Sequence, residues 1–178
     1  MGWTSLRMTE PVKEWFVEQW ESNPEIMVLN VAVVKRNTLY AAIKNVETNE
    51  VFCAVYLLQW SKGDYNFCYK DMTEFAGPCE AECPERILKL LTPLEDIEEN
   101  NYAINWRKRC YETIENRKMI NSGNVIKVKN VIRFSNGMSF QYFKKIGRTM
   151  YAGIMENNKF KSVCRVSFNP KRVEAEII

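Results

Sequence analysis

The sequence predicts an α+β protein in which an N-terminal antiparallel sheet with packed helices, residues 1–118, is followed by a small β-barrel module, residues 119–178. Three apolar runs of strand length follow one another between residues 26 and 60. A helical stretch then ends at the polar linker Asn121-Ser122-Gly123. Beyond the linker, short strand patterns alternate with turn residues.

The N-terminal half begins with a predicted amphipathic helix. Thr9 is expected to cap it and Pro11 to lie in its first turn, because Val12, Phe16 and Trp20 are spaced to cover one apolar face. Three strands of an antiparallel meander follow at residues 26–35, 38–46 and 51–60.

The middle of the chain predicts one further extended segment and two helices. The segment 65–70 alternates like a strand, and a helix is expected to begin at Pro84 and to end before Pro93. A longer helix is predicted over 98–118. Tyr102, Trp106, Cys110 and Ile114 are spaced by four residues along it, which suits packing on the meander.

The C-terminal module has an all-β pattern. Turn pairs at Asn136-Gly137 and Asn157-Asn158 separate short apolar runs. The predicted strands are 125–128, 131–134, 139–144, 149–155, 160–168 and 173–178. Five or six short strands in so few residues favour an SH3-like or OB-like barrel.

The net charge of +3 conceals two oppositely charged halves. Residues 1–118 hold 14 basic and 19 acidic residues, net −5, while residues 119–178 hold 11 basic and 3 acidic residues, net +8. A basic module attracts nucleic acid, and aromatic residues lie between its cations, as in Tyr142-Phe143-Lys144-Lys145. The predicted nucleic-acid-binding residues are Lys127, Lys129, Arg133, Lys144, Lys145, Arg148, Lys159, Lys161, Arg165, Lys171 and Arg172.

Duplex DNA is favoured over a single strand, because Lys127 and Lys129 alternate and would line one face as a row of phosphate contacts. The alternative is that the aromatic residues fill the core of the module while Lys and Arg only keep its surface soluble.

Acidic residues of the first half are the candidates for contact with a protein partner. These residues are Asp71, Glu74, Glu95, Asp96, Glu98 and Glu99. The last four also suit capping of a helix start by the macrodipole. Asp71 and Glu74 could instead lie on one helical turn and act with Mg²⁺ as an acid and a base on nucleotides or nucleic acid, or simply cap a turn.

The chain contains no histidine, which excludes every Ser/His or Cys/His nucleophile pair. We therefore expect no enzyme, no cofactor and no metal. The six cysteines are expected to be free thiols. No apolar run is long enough to cross a membrane and the N-terminus lacks a signal-peptide core, so we expect a cytoplasmic protein.

Several short motifs resemble those of small proteins carried by phages and conjugative elements of gut-type bacteria. They are Met1-Gly2-Trp3-Thr4, the pattern Tyr65-Asn66-Phe67-x-Tyr69-Lys70-Asp71-Met72-x-Glu74, Gly77-Pro78, Cys83-Pro84, Ile87-Leu88-x-Leu90-Leu91-x-Pro93 and Trp106-Arg107-x-Arg109-Cys110. The chain is similar to a type II anti-CRISPR inhibitor that engages both the effector nuclease and duplex DNA. It lacks the extended segment that the longer relatives carry between Trp3-Thr4 and the meander.

Three functions remain open from the sequence. The first is a non-enzymatic protein that binds nucleic acid with its basic module and a host protein, such as a type II CRISPR effector nuclease, with its acidic half. The second is a metal-dependent enzyme that uses Asp71 and Glu74, and the third is a module that binds only protein. A homodimer is also possible.

Overall fold

Two antiparallel sheets of five strands each organise the chain in a computed structural model, which describes residues 2–8, 10–60, 66–167 and 175–178. The first sheet belongs to a compact unit, Met1–Tyr111, and the second to another, Glu112–Ile178. The predicted α+β class is thereby confirmed. Thr9, Tyr65, Lys171 and Arg172, for which the sequence made predictions, lie outside the described residues.

The first sheet contains the predicted meander and one strand that the sequence did not predict. Its elements are β1 (Thr4–Leu6), α1 (Val12–Glu21), β2 (Ile26–Val34), β3 (Thr38–Asn45), β4 (Val51–Trp60) and β5 (Phe67–Thr73). The strand order is β1-β5-β4-β3-β2, so the N-terminal strand pairs with β5 at one edge. A strand of three residues has too little pattern to be predicted from sequence.

Strands β3 and β4 of this sheet are covered on both faces. Leu39, Ile43 and Tyr56 are buried in a cluster with Phe16 of α1. On the other face, Tyr40 packs against Trp106, with 6.4 Å between the ring centroids. Covering on both faces explains why β3 and β4 read as continuous apolar runs.

Helical segments follow β5 and lead out of the first unit. They are a 3₁₀ turn (Glu74–Ala76), the short helix α2 (Glu85–Leu88), a second 3₁₀ turn (Glu98–Asn100) and α3 (Asn101–Asn121). The first half of α3 buries Ala103, Trp106 and Cys110. Tyr102, predicted to share that face, is 71% exposed, because a spacing of three and then four from Ala103 matches the helical repeat better than a spacing of four throughout.

The second sheet is formed by β6 (Val125–Arg133), β7 (Ser139–Ile146), β8 (Thr149–Glu156), β9 (Lys159–Val166) and β10 (Ala175–Ile177). The order is β10-β6-β7-β8-β9. The two strands predicted at 125–128 and 131–134 are one strand, β6, with an irregular register opposite β7. Among the described residues β9 and β10 are not paired, so the predicted closed barrel is not observed there.

One face of this second sheet carries the core of its unit. Ile126, Val128, Phe143 and Ala152 are buried, and the last turn of α3 adds Met119 and Ile120. The predicted domain boundary, 118/119, falls inside this turn of helix, whereas the unit boundary lies after Tyr111. Within the described ranges, no helix combines the length and the apolar character needed to span a membrane.

Candidate nucleic-acid interface and acidic groove

The face of the second sheet opposite its core carries cations and tyrosine rings side by side. Lys144 on β7 is paired with Tyr151 on β8, which is paired with Arg165 on β9. In the neighbouring row, Lys127 on β6 is paired with Tyr142 on β7. Cross-strand partners project from the same face of a sheet, and so do positions two apart along a strand. We call these five residues the cationic face.

The charges of the cationic face are largely available for a ligand. Lys144 and Arg165 form no ion pair with any described residue, and Arg165 is exposed. The Lys127 Nζ lies 3.5 Å from an Oε1 of Glu176, with side chains 38% and 66% exposed. An ion pair this exposed contributes about 1 kcal/mol or less, so a phosphate can compete with it.

A cavity of about 610 Å³ opens on the same side of the sheet. It is lined by Val125, Lys144, Met155, Asn158, Lys159, Phe160 and Ile178. The Phe160 ring lies over Gly153, because a Cβ at that glycine would stand only 2.8 Å from the ring carbons Cε2 and Cζ. An aromatic ring that packs on a sheet beside lysines provides a surface on which a nucleic-acid base can stack.

Strand alternation divides the other predicted cations. Lys129 lies two residues after Lys127 on β6 and lines a second cavity of about 340 Å³ with Lys127 and Glu176. Arg133 lies beyond the irregular register and is paired with Ser139, three residues before Tyr142, so it does not share the side of Lys127. Arg148 lies exposed in the turn between β7 and β8. Of these three cations, Lys129 is the one that lies beside the cationic face.

Three further predicted cations do not belong to the cationic face. Lys145 is paired with the core residue Met150, and its Nζ donates a hydrogen bond to Asn121 Oδ1. Lys159 and Lys161 are paired with Glu156 and Ile154, on the opposite side of the hairpin from Phe160. The Lys161 Nζ also lies 3.2 Å from Glu156 Oε2. Adjacent lysines in a strand necessarily point to opposite faces.

Glu74, predicted to contact a partner, is fully buried. The Nε and Nη2 of Arg107 donate to its carboxylate at 2.6 and 2.9 Å, and the backbone N–H of Cys53 donates at 3.0 Å. Its charge is therefore satisfied inside the first unit and is not presented to a partner. Asp71 is exposed on β5, whereas Glu74 is buried and begins the next 3₁₀ turn, so the prediction that the two share a helical turn is wrong.

Four of the predicted acidic residues lie beside an apolar groove of the first unit, which we call the acidic groove. Glu95, Asp96, Glu98 and Glu99 are all exposed. The groove has a volume of about 590 Å³, and its apolar lining is Val51, Phe52, Phe75, Pro93, Leu94 and Ile97. Glu50 and Glu95 line it as well. The sequence predicted the acidic cluster but not the groove, since the lining comes from three separated segments.

Three of the five thiols of the first unit are buried. Cys53, Cys83 and Cys110 are buried, and burial raises the pKa of the Cys110 thiol to about 12 and that of Cys53 well above its usual value. All six cysteines are free, as predicted. Within the described ranges, no three Cys, Asp or Glu side chains come together as metal ligands would.

The fold and these two surfaces define a two-part α+β protein with an acidic first unit and a cationic second sheet. Residues 97–168 are similar to a family of proteins described as a domain of unknown function, DUF6927. This match spans α3 and β6 to β9 and contains the whole cationic face, whereas the acidic groove lies almost entirely before it. No curated protein and no solved structure matches the chain.

Proposed function

We propose that this protein is a non-enzymatic binding protein that holds nucleic acid on its cationic face and a protein partner on its acidic first unit. The observation that carries the proposal is the row Lys144–Tyr151–Arg165, in which two cations without carboxylate partners among the described residues flank an aromatic ring. Phosphates are neutralised by such cations, and bases stack on such rings.

The charge of the two units supports a division of labour. Residues 1–111 hold 12 basic and 17 acidic residues, net −5, and residues 112–178 hold 13 basic and 5 acidic residues, net +8. The opposite charges favour ligands of opposite sign for the two units. Duplex DNA is the nucleic acid we propose, because Lys127 and Lys129 continue the cationic face along β6 as a row of phosphate contacts.

We further propose that the second unit is a partly open SH3-like barrel. Its last strand, β10, returns to pair with its first, β6, while β6 to β9 form a meander. Joining the last strand to the first beside a four-stranded meander is the strand order of SH3-like folds. The irregular registers of β6 with β7 and of β8 with β9 supply the local bends that such curvature needs.

The proposed protein partner is a type II CRISPR effector nuclease of the host. A protein encoded by a phage or conjugative element would bind this nuclease to block host defence. Two observations support it: the motif resemblance and the acidic first unit, which complements the cationic channel in which such a nuclease holds its nucleic acid. Cleavage of a target duplex by the effector, measured with and without the full chain, tests this half of the proposal. Undiminished cleavage at saturating protein would contradict it.

Gel retardation of a 20-base-pair duplex by the full chain tests the nucleic-acid half. Reversing these two charges, with Lys144→Glu and Arg165→Glu, is expected to weaken binding at least about tenfold, because two phosphate contacts become repulsive. If about three phosphates are neutralised, the affinity of the wild type should fall about 40-fold between 50 and 200 mM salt.

The matched control carries the same charge change on the opposite side of the sheet, as Lys145→Glu with Lys161→Glu, and is expected to bind within about threefold of the wild type. Equal losses in both variants would mean that overall charge, not the cationic face, holds the duplex. Retention of single strands alone would overturn the duplex assignment. A salt-insensitive complex with protein and none with nucleic acid would favour a module that binds only protein.

A further inference from the structure

The acidic groove is a preformed cavity rather than a gap between loose segments. Thr92 joins its two walls, since its backbone N–H donates to the Val51 carbonyl at 2.9 Å and its Oγ1 accepts from the Val51 N–H at 2.8 Å. The Nη1 of Arg107 donates to the Thr92 carbonyl at 2.6 Å. The same guanidinium is held in place by its two hydrogen bonds to the Glu74 carboxylate. Because the cavity is preformed, rearranging the site on ligand binding costs little free energy.

The acidic side of the groove is also ordered by its own bonds. Asn100 closes the loop, because its side-chain Nδ2 donates to the Glu95 carbonyl at 3.0 Å and its backbone N–H donates to the Ile97 carbonyl at 3.0 Å. Ile97 and Phe75, which line the groove, are 46% and 39% exposed. Large apolar side chains left this open beside a cavity mark a surface for a further apolar group.

The carboxylates around the acidic groove determine which kind of ligand it favours. Glu95, Asp96, Glu98 and Glu99 form no ion pair with any described residue, and none of the residues found to line the groove is Lys or Arg. Uncompensated carboxylates around an apolar cavity disfavour acidic ligands and favour cationic ones. A volume of about 590 Å³ is enough for a few side chains.

We propose that the acidic groove binds a peptide segment of the protein partner in which one or two apolar side chains are flanked by lysines or arginines. The apolar side chains enter the cavity between Phe75 and Ile97, and the flanking cations meet the carboxylates of residues 95–99. This inference rests on the protein-binding half of the proposed function. It assigns a site and a chemistry to the partner.

The test uses the full chain and a fluorescein-labelled nonapeptide whose three central residues, Leu, Phe and Leu, are flanked on each side by three lysines. Fluorescence anisotropy at 0.1 M salt is expected to show binding at least about tenfold tighter than for two matched peptides, one with glutamates for lysines and one with serines for the central residues. The variant Ile97→Ser with Glu95→Gln should weaken binding about tenfold.

The control variant Met27→Ser with Glu14→Gln alters an equally exposed apolar residue, 48% against 46%, and one carboxylate away from the groove. It should bind the peptide like the wild type, and the thermal unfolding of all variants is compared to confirm folding. Equal binding of the serine peptide, equal loss in the control, or no binding overturns the inference. So does a dimer that the Ile97→Ser variant abolishes, because the occupant is then a second copy.

Retardation of duplex DNA, measured on the same variants, keeps the two proposals separable. The groove variants are expected to retain DNA binding, since they leave the cationic face intact. If the wild type fails to bind DNA, the proposal for the acidic groove is unaffected. If the peptide does not bind while the effector nuclease is still inhibited, the nuclease binds elsewhere on the first unit and the proposal for the groove is wrong.

Discussion

At the scale of single residues, the buried pair Glu74–Arg107 explains most about the first unit. The sequence predicted Glu74 to be a contact for a partner, half of an acid–base pair or the cap of a turn, and none of these is a buried ion pair. Glu74, in the 3₁₀ turn after β5, accepts a hydrogen bond from the backbone of β4, and Arg107, on α3, donates to the Thr92 carbonyl. The ion pair between them therefore links these four parts of the first unit. A carboxylate and a guanidinium removed from water are tolerated only because nearly every donor and acceptor between them is satisfied.

Removing one partner of this pair should be costly. Glu74→Gln is expected to lower the free energy of unfolding by about 3–5 kcal/mol, because the Arg107 side chain, 15% exposed, is left charged and unpaired. Urea unfolding followed by tryptophan fluorescence measures this loss in the first unit, which holds all five tryptophans. Lys89→Ala, which breaks an exposed pair with Glu85, is the control and should cost about 0.5 kcal/mol or less. Similar midpoints for the two variants would refute the role assigned to Glu74.

At the scale of elements, the sequence predicts what strand and helix periodicity encode and misses what tertiary pairing decides. The meander strands are placed within a residue or two, because β3 and β4 are buried on both faces and read as unbroken apolar runs. The strand β1 and the single long β6 were missed, since the first is too short to carry a pattern and the second contains Lys129-Asn130, which reads as a break.

The candidate site was predictable to a similar degree. The opposite charges of the two halves and the importance of Lys127, Lys144 and Arg165 follow from composition and alternation. The division of the lysines between two faces does not follow, because it depends on the register between strands and on the bulge opposite Ala152 and Gly153. The acidic groove could not be predicted, since no local pattern brings residues 50–52, 75 and 92–97 together.

The hairpin of β8 and β9 offers a test of packing at this scale. A Cβ at Gly153 would stand 2.2 Å from the Lys161 carbonyl oxygen as well as against the Phe160 ring. Gly153→Ala should therefore destabilise the second sheet by about 2 kcal/mol, because backbone, not a flexible side chain, must move. Hydrogen exchange of the amides of β8 and β9, measured by mass spectrometry, should become faster.

The cross-strand partner of Gly153 provides the control. Ser162 is exposed and opposes Gly153 in the ladder, so Ser162→Ala should leave the exchange of β8 and β9 nearly unchanged. If Gly153→Ala exchanges like the wild type, the Phe160 ring is not held against the sheet as described. The stacking surface would then lose its support.

At the scale of the whole molecule, alkaline pH should destabilise the first unit selectively. Burial raises the pKa of Tyr40 well above its usual value of 10.0, and that of Tyr56 to about 12, just as burial raises the pKa of the Cys53 and Cys110 thiols. All four groups belong to the first unit. Each stays protonated in the folded chain at a pH where the unfolded chain has released its proton.

The direction of the effect follows from this difference. Above about pH 9 the unfolded state binds fewer protons than the folded state, so the free energy of unfolding should fall as pH rises from about 9 to 12, by up to about 1.4 kcal/mol per pH unit for each titrating group. Below about pH 7.5 these groups should contribute almost no pH dependence, because the thiols and phenols are protonated in the unfolded chain as well. Urea unfolding at pH 7, 9, 10 and 11, followed by tryptophan fluorescence, measures the fall, and Tyr40→Phe should reduce it. A midpoint independent of pH over this range would contradict the burial of these groups.

Helix α3 supplies side chains to the cores of both units, with Trp106 in the first and Met119 and Ile120 in the second. The segment similar to DUF6927 begins at residue 97, so it carries the first half of this helix along with the sheet. In this chain the segment contains an apolar stripe at Ala103, Trp106 and Cys110 that is unfavourable in contact with water. Excised from this chain at residue 97, the segment would expose that stripe to water, because the residues that cover it, such as Tyr40, come earlier in the chain.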